Sequence, residues 1–453
     1  MNLLPLLAGA LPWARTPADA LMRVFVVIGI LSIEMQVVTL SGVGTLRQLA
    51  VVNLLLATGA VVWQARSRRP SAAWLRESWD VAPWPGVAAM AGLVLLLNAV
   101  LPVEAADPYN MERVVHIQRV GTLAYAPEAD FKVNLVGFLY EMVLADLGLV
   151  PVIGLALVRF HGVLGLQLYL LGLATVRGWL DDNGPRRWPW LLLLVVPVVF
   201  HQLVLIKNDL FIAVPALVAL VWLLTRAAAA APLEVAQFAW LIGLVAGYKP
   251  TSLPLAGILA GGVLIMQPGR RGRAIAAVAA GGVLGGIAGG LPFGLFENLR
   301  VYGDPFARAQ IATLGNVTTG LSSIAESVLR FSISLFDLGQ LTRRLWPGRG
   351  GWGGTFGLPF IWAVFTLVPR WRQPAVRWTL LIAAVHLLAF AGTFPDADVA
   401  QRLAMAPALL VIAIAAATVA RDDTARTARL ALVPVLVLSV AHVLLSTVNY
   451  LQR

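Results

Sequence analysis

Residues 85–103, PGVAAMAGLVLLLNAVLPV, and the stretch after them, 104–139, EAADPYNMERVVHIQRVGTLAYAPEADFKVNLVGFL, decide how this chain is read. The first is an apolar run of the length that crosses a bilayer, where about 20 residues of helix cover a hydrocarbon core of about 30 Å. The second packs Glu104, Asp107, Tyr109, Asn110, Glu112, Arg113, His116, Gln118, Arg119, Glu128, Asp130 and Lys132 into one loop. Two membrane helices can be joined by far less. A loop so rich in acids, bases and amides reads as a working surface, with the other segments as its scaffold.

Working outward, the alternation of apolar run and polar punctuation recurs along all 453 residues. The chain is 59% hydrophobic and 13% charged, with a mean hydropathy of +0.81, whereas soluble domains carry about 25% charged residues. The class implied is an all-α polytopic membrane protein. Barrel strands would alternate apolar and polar residues, and these runs do not. The net charge of +11 follows from arginines at helix ends, as the positive-inside rule requires. With no soluble basic domain, nucleic acid is not an expected partner. The absence of cysteine excludes disulfides, thiolate metal sites and a cysteine nucleophile. Residues 1–15 lack a basic leader region and a small-residue cleavage site, so a short interfacial helix is expected there rather than a signal peptide.

Thirteen spans are expected, at roughly 20–40, 48–64, 86–103, 153–176, 190–206, 210–225, 235–248, 251–266, 274–292, 356–369, 378–394, 403–419 and 430–448. Three regions organise them: an N-terminal segment and hairpin (1–82), a core with the first polar loop (83–320), and an amphipathic segment with the last helices (321–453). Placing the N-terminus in the cytoplasm collects Arg66, Arg68, Arg69, Arg76, Arg177, Arg270, Arg271, Arg273 and Arg370 on the inner side. The three lysines, Lys132, Lys207 and Lys249, then all fall outside. As a full span, 134–150 would invert every later loop. It is therefore expected to lie on the outer surface or to dip in, with Glu141 and Asp146 facing water. Gly281, Gly285 and Gly289 form a small-xxx-small face suited to close helix packing. Glu34, within an apolar helix, is expected to make a polar contact inside the bundle.

A transferase at the outer leaflet needs a carboxylate to deprotonate or orient an acceptor, cations to hold a departing lipid phosphate, and a groove for the lipid tail. Asp107 supplies the first, and Lys207, Lys249 and Arg402 the second, all at helix ends where charge is costly and usually functional. Each has a plainer reading. Asp107 before Pro108 suits a helix N-cap; the lysines and Arg402 suit snorkelling anchors; Asp209 suits a pair with Lys207; His116 suits an ordinary loop histidine. A divalent metal is weakly indicated, by Asp396 and Asp398 alone.

In chain order these residues resemble the GT-C superfamily of membrane glycosyltransferases, in particular the protein mannosyltransferase and aminoarabinose transferase group. The resemblance covers roughly residues 86–420. It rests on ADPYNMERVVHIQRVGTLAY (106–125), FLYEMVLADLG (138–148), LIKNDLFIA (205–213), GYKPTSLPL (247–255), NLRVYGDPF (298–306) and RLAMAPAL (402–409). The histidine that relatives carry just after the aspartate is absent here, and so is the paired acidic motif of metal-dependent members. The resemblance implies an inverting transfer from a polyprenyl-phosphate-linked sugar to a glycan, lipid or protein acceptor, at the outer face of a bacterial inner membrane. Asp107 would be the base and Lys207, Lys249 and Arg402 would hold the phosphate. Tyr109, Asn110, Glu112, Arg113, His116 and Asp209 would shape the substrate site. A transporter or flippase, and a non-catalytic partner in envelope-polysaccharide assembly, are the competing classes. The former requires helices broken at the membrane midplane.

Overall fold

The computed structural model describes residues 1–67, 69–101, 108–126, 133–134, 138–180, 186–205, 208–313, 321–335, 356–393, 403–422 and 425–451. Among these all regular secondary structure is helical, with no strand. Six helices are long and apolar enough to cross a membrane: Pro17–Ser41, Leu49–Arg66, His161–Leu180, Pro268–Gly289, Pro374–Gly392 and Arg426–Leu445. A seventh candidate is the pair Ala73–Trp79 and Trp84–Val100, bent by 89° at its break. The bend falls at Pro83 and Pro85, where the first ring restrains the preceding residue and the second starts a new helix.

The remaining expected spans correspond to shorter or interrupted helices. Asp209–Thr225, Pro232–Tyr248 and Met405–Arg421 are each 17 residues. The expected span 190–206 is broken into Trp188–Trp190, Leu191–Leu194 and Pro197–Val204. Pro197 lacks the N–H a continuous helix would use, and Tyr169 Oη donates to the freed carbonyl of Leu193 at 2.8 Å. These broken pieces are buried in the centre with Asp209–Thr225 and Met405–Arg421. At the periphery the large apolar side chains point outward instead. Val51, Leu54, Leu55 and Trp63 of Leu49–Ser67 are exposed, as are Leu430, Val433, Val437 and Leu444 of Arg426–Leu451. A polar centre-end with an apolar outer surface is what a bilayer solvates, and the protein is a membrane protein.

The segment 134–150 departs from expectation. Its helix, Leu139–Gly148, has 10 residues, about 15 Å long and half what a span requires. It does not lie in water either: Glu141 and Asp146 are both fully buried. Asp146 accepts from the Met1 ammonium at 2.8 Å and from the backbone N–H groups of Asn2 and Leu3. Both carboxylates have inward partners, and this draws the whole helix into the bundle. The expected interfacial helix near the N-terminus, Leu3–Ala10, packs against Leu49–Ser67. Glu34 accepts from Asn53 Nδ2 at 2.9 Å, joining Pro17–Ser41 to Leu49–Ser67.

The glycine face forms the closest helix contact. A Cβ at Gly281, Gly285 or Gly289 would come within 2.1–2.2 Å of the carbonyl oxygens of Ala236, Trp240 and Leu244 on Pro232–Tyr248. Gly243 and Gly247 meet the carbonyls of Gly282 and Gly286 in return, at 2.4 and 2.5 Å from where a Cβ would sit. Cβ positions at Gly282 and Gly286 themselves face open space. Gly285→Ala is therefore expected to lower the unfolding temperature, at the cost of about 1–3 kcal/mol typical of overpacking. Gly286→Ala should leave it unchanged or raise it. Thermal unfolding of the purified protein reads both, and equal effects would remove backbone contact as the cause.

Candidate functional site

Two adjacent polar clusters sit inside this apolar frame. The first is built where three chain segments meet: Leu139–Gly148, the corner before Asp209–Thr225, and the end of Pro232–Tyr248. Lys249 Nζ donates to Asp209 Oδ1 at 2.5 Å and to Asn208 Oδ1 at 3.1 Å. Asn208 Nδ2 donates to Glu141 Oε1 at 3.2 Å, and Tyr248 Oη to Glu141 Oε2 at 2.9 Å. Asp209 Oδ2 accepts from Gln202 Nε2 at 3.2 Å. Asp209, Asn208, Glu141 and Gln202 are buried. Asp209 thus pairs with Lys249. Lys207, its expected partner, lies outside the described residues, as do Asp107, Arg402, Asp396 and Asp398. The chain neighbours Asn208 and Leu403 both converge on Lys249, the one by hydrogen bond and the other in the wall of the same small cavity.

That small cavity, about 20 Å³, is lined by Asp209, Lys249, Thr251, Ser252, His386 and Leu403 among others, and is large enough for one water-sized group. On the other side of Gln202 lies an apolar cavity of about 270 Å³, walled by Leu7, Ile28, Tyr140, Leu144, Leu164 and Phe211. A dry cavity of about 150 Å³ already holds a benzene-sized molecule, so this one has room for a length of aliphatic chain. Charge and apolar space are separated by one side chain.

The second cluster uses residues expected at a substrate site, and uses them to hold the fold. The helix Pro108–Val120 begins at Pro108, where capping by Asp107 would start it. On it, Arg113 is fully buried. Its guanidinium donates to the carbonyls of Leu123 and Ala124 at 2.6 and 3.0 Å and lies over the Tyr125 ring. His116 Nε2 bonds the Ala124 carbonyl at 3.0 Å. Burial and the neighbouring Arg113 cation push its pKa down, and since a carbonyl can only accept, Nε2 is the donor. Asn110 is buried, Tyr109 half-buried and Glu112 exposed. The GTLAY stretch is thereby pinned from below. Gly121 takes φ +77°, a conformation glycine adopts readily, and Tyr125 N–H donates to Glu297 at 2.8 Å. Arg300 grips Glu297 through two bonds, and Tyr302 receives one from Asn134 at 2.9 Å. The NLRVYGDPF turn closes on itself, with Asn298 on the Pro305 carbonyl and Asp304 on Phe306 and Arg308. Those hydrogen bonds hold the Asp304 carboxyl below the usual range.

The structure therefore brings together Asp209 and Lys249, and places Arg113 and His116 in a neighbouring scaffold role. Arg113 links the two clusters, since the charges of Glu141 and Glu297 both act on it. Sequence reasoning missed Glu141, Asn208, Tyr248 and Gln202. The signal for Glu141 was an acid inside FLYEMVLADLG, an otherwise apolar helix that water would not solvate on all sides. Among the described residues no three His, Asp or Glu side chains converge as metal ligands. Comparison with protein-family models, with curated proteins and with solved structures finds no match.

Two outcomes follow from this geometry. Arg113→Lys cannot span two carbonyls, and is expected to destabilise the protein by about 1.5–3 kcal/mol, the scale of one charged hydrogen bond; an unchanged unfolding midpoint would show the guanidinium to be dispensable. Burial pushes Glu141 up to about 7, against about 4.3 in an unfolded chain. Its contribution to stability is then fully present below about pH 4 and lost as pH rises through about 7. Glu141→Gln should gain in unfolding temperature over the wild type at pH 8 and lose most of that gain at pH 5. A difference independent of pH would dissociate it from ionisation of Glu141.

Proposed function

We propose that this protein is a GT-C-type glycosyltransferase, moving a sugar from a polyprenyl-phosphate carrier to an acceptor at the outer face of a bacterial inner membrane. The observation that carries the reading is the Lys249–Asp209 pair, its carboxylate buried and its ammonium partly exposed, set one side chain away from an apolar cavity of about 270 Å³. An amphiphilic donor needs that combination, a cation at the lipid phosphate and a dry space for the tail. In this reading the short and broken helices also cross the bilayer, giving about thirteen spans with the N-terminus in the cytoplasm. Lys207 and Arg402 join Lys249 at the phosphate. They are required there, because Asp209 neutralises Lys249 and a lone neutral pair holds an anion weakly.

Asp107 takes the proton of the acceptor hydroxyl or amine as its oxygen or nitrogen bonds to the anomeric carbon. The bond from that carbon to the phosphate oxygen breaks with its electrons on the phosphate, where the three cations stabilise the charge. The configuration inverts. A polytopic transporter or lipid flippase is the second reading, favoured by the 89° bend at Pro83–Pro85 and the break before Pro197, since interrupted helices are a transporter device.

Asp107→Asn, assayed in proteoliposomes with a polyprenyl-phosphate sugar, is expected to cut transfer about 10²–10⁴-fold while carrier binding persists. Near-normal turnover in that variant would remove Asp107 as the base. Carrier movement across the bilayer without sugar transfer would establish the transporter.

A further inference from the structure

Glu141 lines neither the small polar cavity nor the apolar one, yet it is fully buried with both carboxylate oxygens engaged. One oxygen holds Asn208, whose side-chain carbonyl receives Lys249. The other holds Tyr248, the residue before Lys249 in the chain. The ammonium's partner and the backbone that carries it thus hang on one carboxyl group. We propose that Glu141 is a positioning residue for Lys249, and that its charge sets how tightly this cluster takes a phosphodiester; the second part rests on the reading of Lys249 as a phosphate-holding group.

The charges around Glu141 make the sign definite. Arg113 acts on it from Pro108–Val120 and Lys249 from the end of Pro232–Tyr248, with Asp209 beyond Lys249. Tyr140 on its own helix and Tyr248 contribute neutral phenols. The other elements packed against this helix bring charges already committed: the Met1 ammonium to Asp146, Glu34 to Asn53, and Arg159 to the carbonyls of Asn98 and Ala99. Glu141 and Asp209 balance Arg113 and Lys249 when both acids are ionised. Protonating Glu141 leaves the cluster with a net positive charge beside the cavity. An anion at Lys249 then binds more tightly, and its binding takes up a proton.

The test is binding of didecyl phosphate, singly charged at every pH used, to the full chain in nanodiscs at pH 6 and pH 8. The wild type should bind about three- to tenfold more tightly at pH 6, the scale of one nearby charge under partial screening. Glu141→Gln, which keeps the shape, should bind at both pH values as the wild type does at pH 6. Glu141→Ala should weaken binding at both, because Asn208 and Tyr248 lose their anchor, and Lys249→Ala should abolish it. His386, beside Lys249 in the small cavity, is present in both the wild type and Glu141→Gln, so its contribution is common to the two. Wild-type binding that does not depend on Lys249 would overturn the phosphate reading and the charge coupling with it. Lys249-dependent binding with the same pH profile in Glu141→Gln would overturn this inference alone.

Discussion

A half-buried ammonium and two buried carboxylates among apolar helices set the terms for everything packed around them. Moving one such ion out of water costs several kcal/mol even after relaxation, and a partner of opposite charge offsets this only with good geometry and further hydrogen bonds. Lys249 and Asp209 meet at 2.5 Å, and each makes a further hydrogen bond, Lys249 to Asn208 and Asp209 from Gln202. Among the described residues Glu141 has no cation in direct contact, and it depends on Asn208 and Tyr248. These bonds can be made only if three distant chain segments arrive together, and the helix breaks follow from that requirement. The interruption before Pro197 turns the chain so that Gln202 faces Asp209. The close Gly281–Gly289 contact fixes the height at which Pro232–Tyr248 delivers Tyr248 and Lys249.

How much of this could be read from the sequence depends on which constraint was local. Apolar run length marked the six helices long enough to cross a membrane and the bent pair at Pro83–Pro85, because bilayer thickness and helix rise are fixed quantities. The glycine face was legible because only backbone contact explains three glycines at a spacing of four. The breaks were not, since a proline one turn inside an apolar run reads equally as a kink, an N1 residue or a tolerated insertion. The helix at 139–148 was placed at the outer surface because a full span there would invert every later loop, and its two acids were then given to water. Charge in a short amphipathic segment normally faces solvent, and only the tertiary partners Tyr248, Asn208 and the Met1 ammonium reverse that.

The first polar loop shows a different limit. Arg113 and His116 have the residue types of a substrate site, and the structure gives both of them to the carbonyls of 123 and 124. A loop at a membrane surface has no strand or helix ladder for its backbone, and each buried carbonyl still requires a donor. A guanidinium with five donors answers that requirement better than any other side chain. Residue type therefore could not separate holding a loop from holding a ligand. The distinction lies in whether the donors are already committed.

By that criterion the two clusters divide their labour. The guanidinium of Arg113 is enclosed and faces its own backbone. Lys249 has three donors, of which, among the described residues, Asn208 and Asp209 occupy two, and its side chain retains 21% exposure beside a cavity it helps to line. The scaffold cluster holds the 121–126 segment rigidly against Glu297 and the helix Leu291–Tyr302, and through Arg113 it also fixes the field at Glu141. The rigid cluster and the cluster with an uncommitted donor share one cation. A ligand at Lys249 would therefore be felt electrostatically by the polar loop that the sequence first singled out.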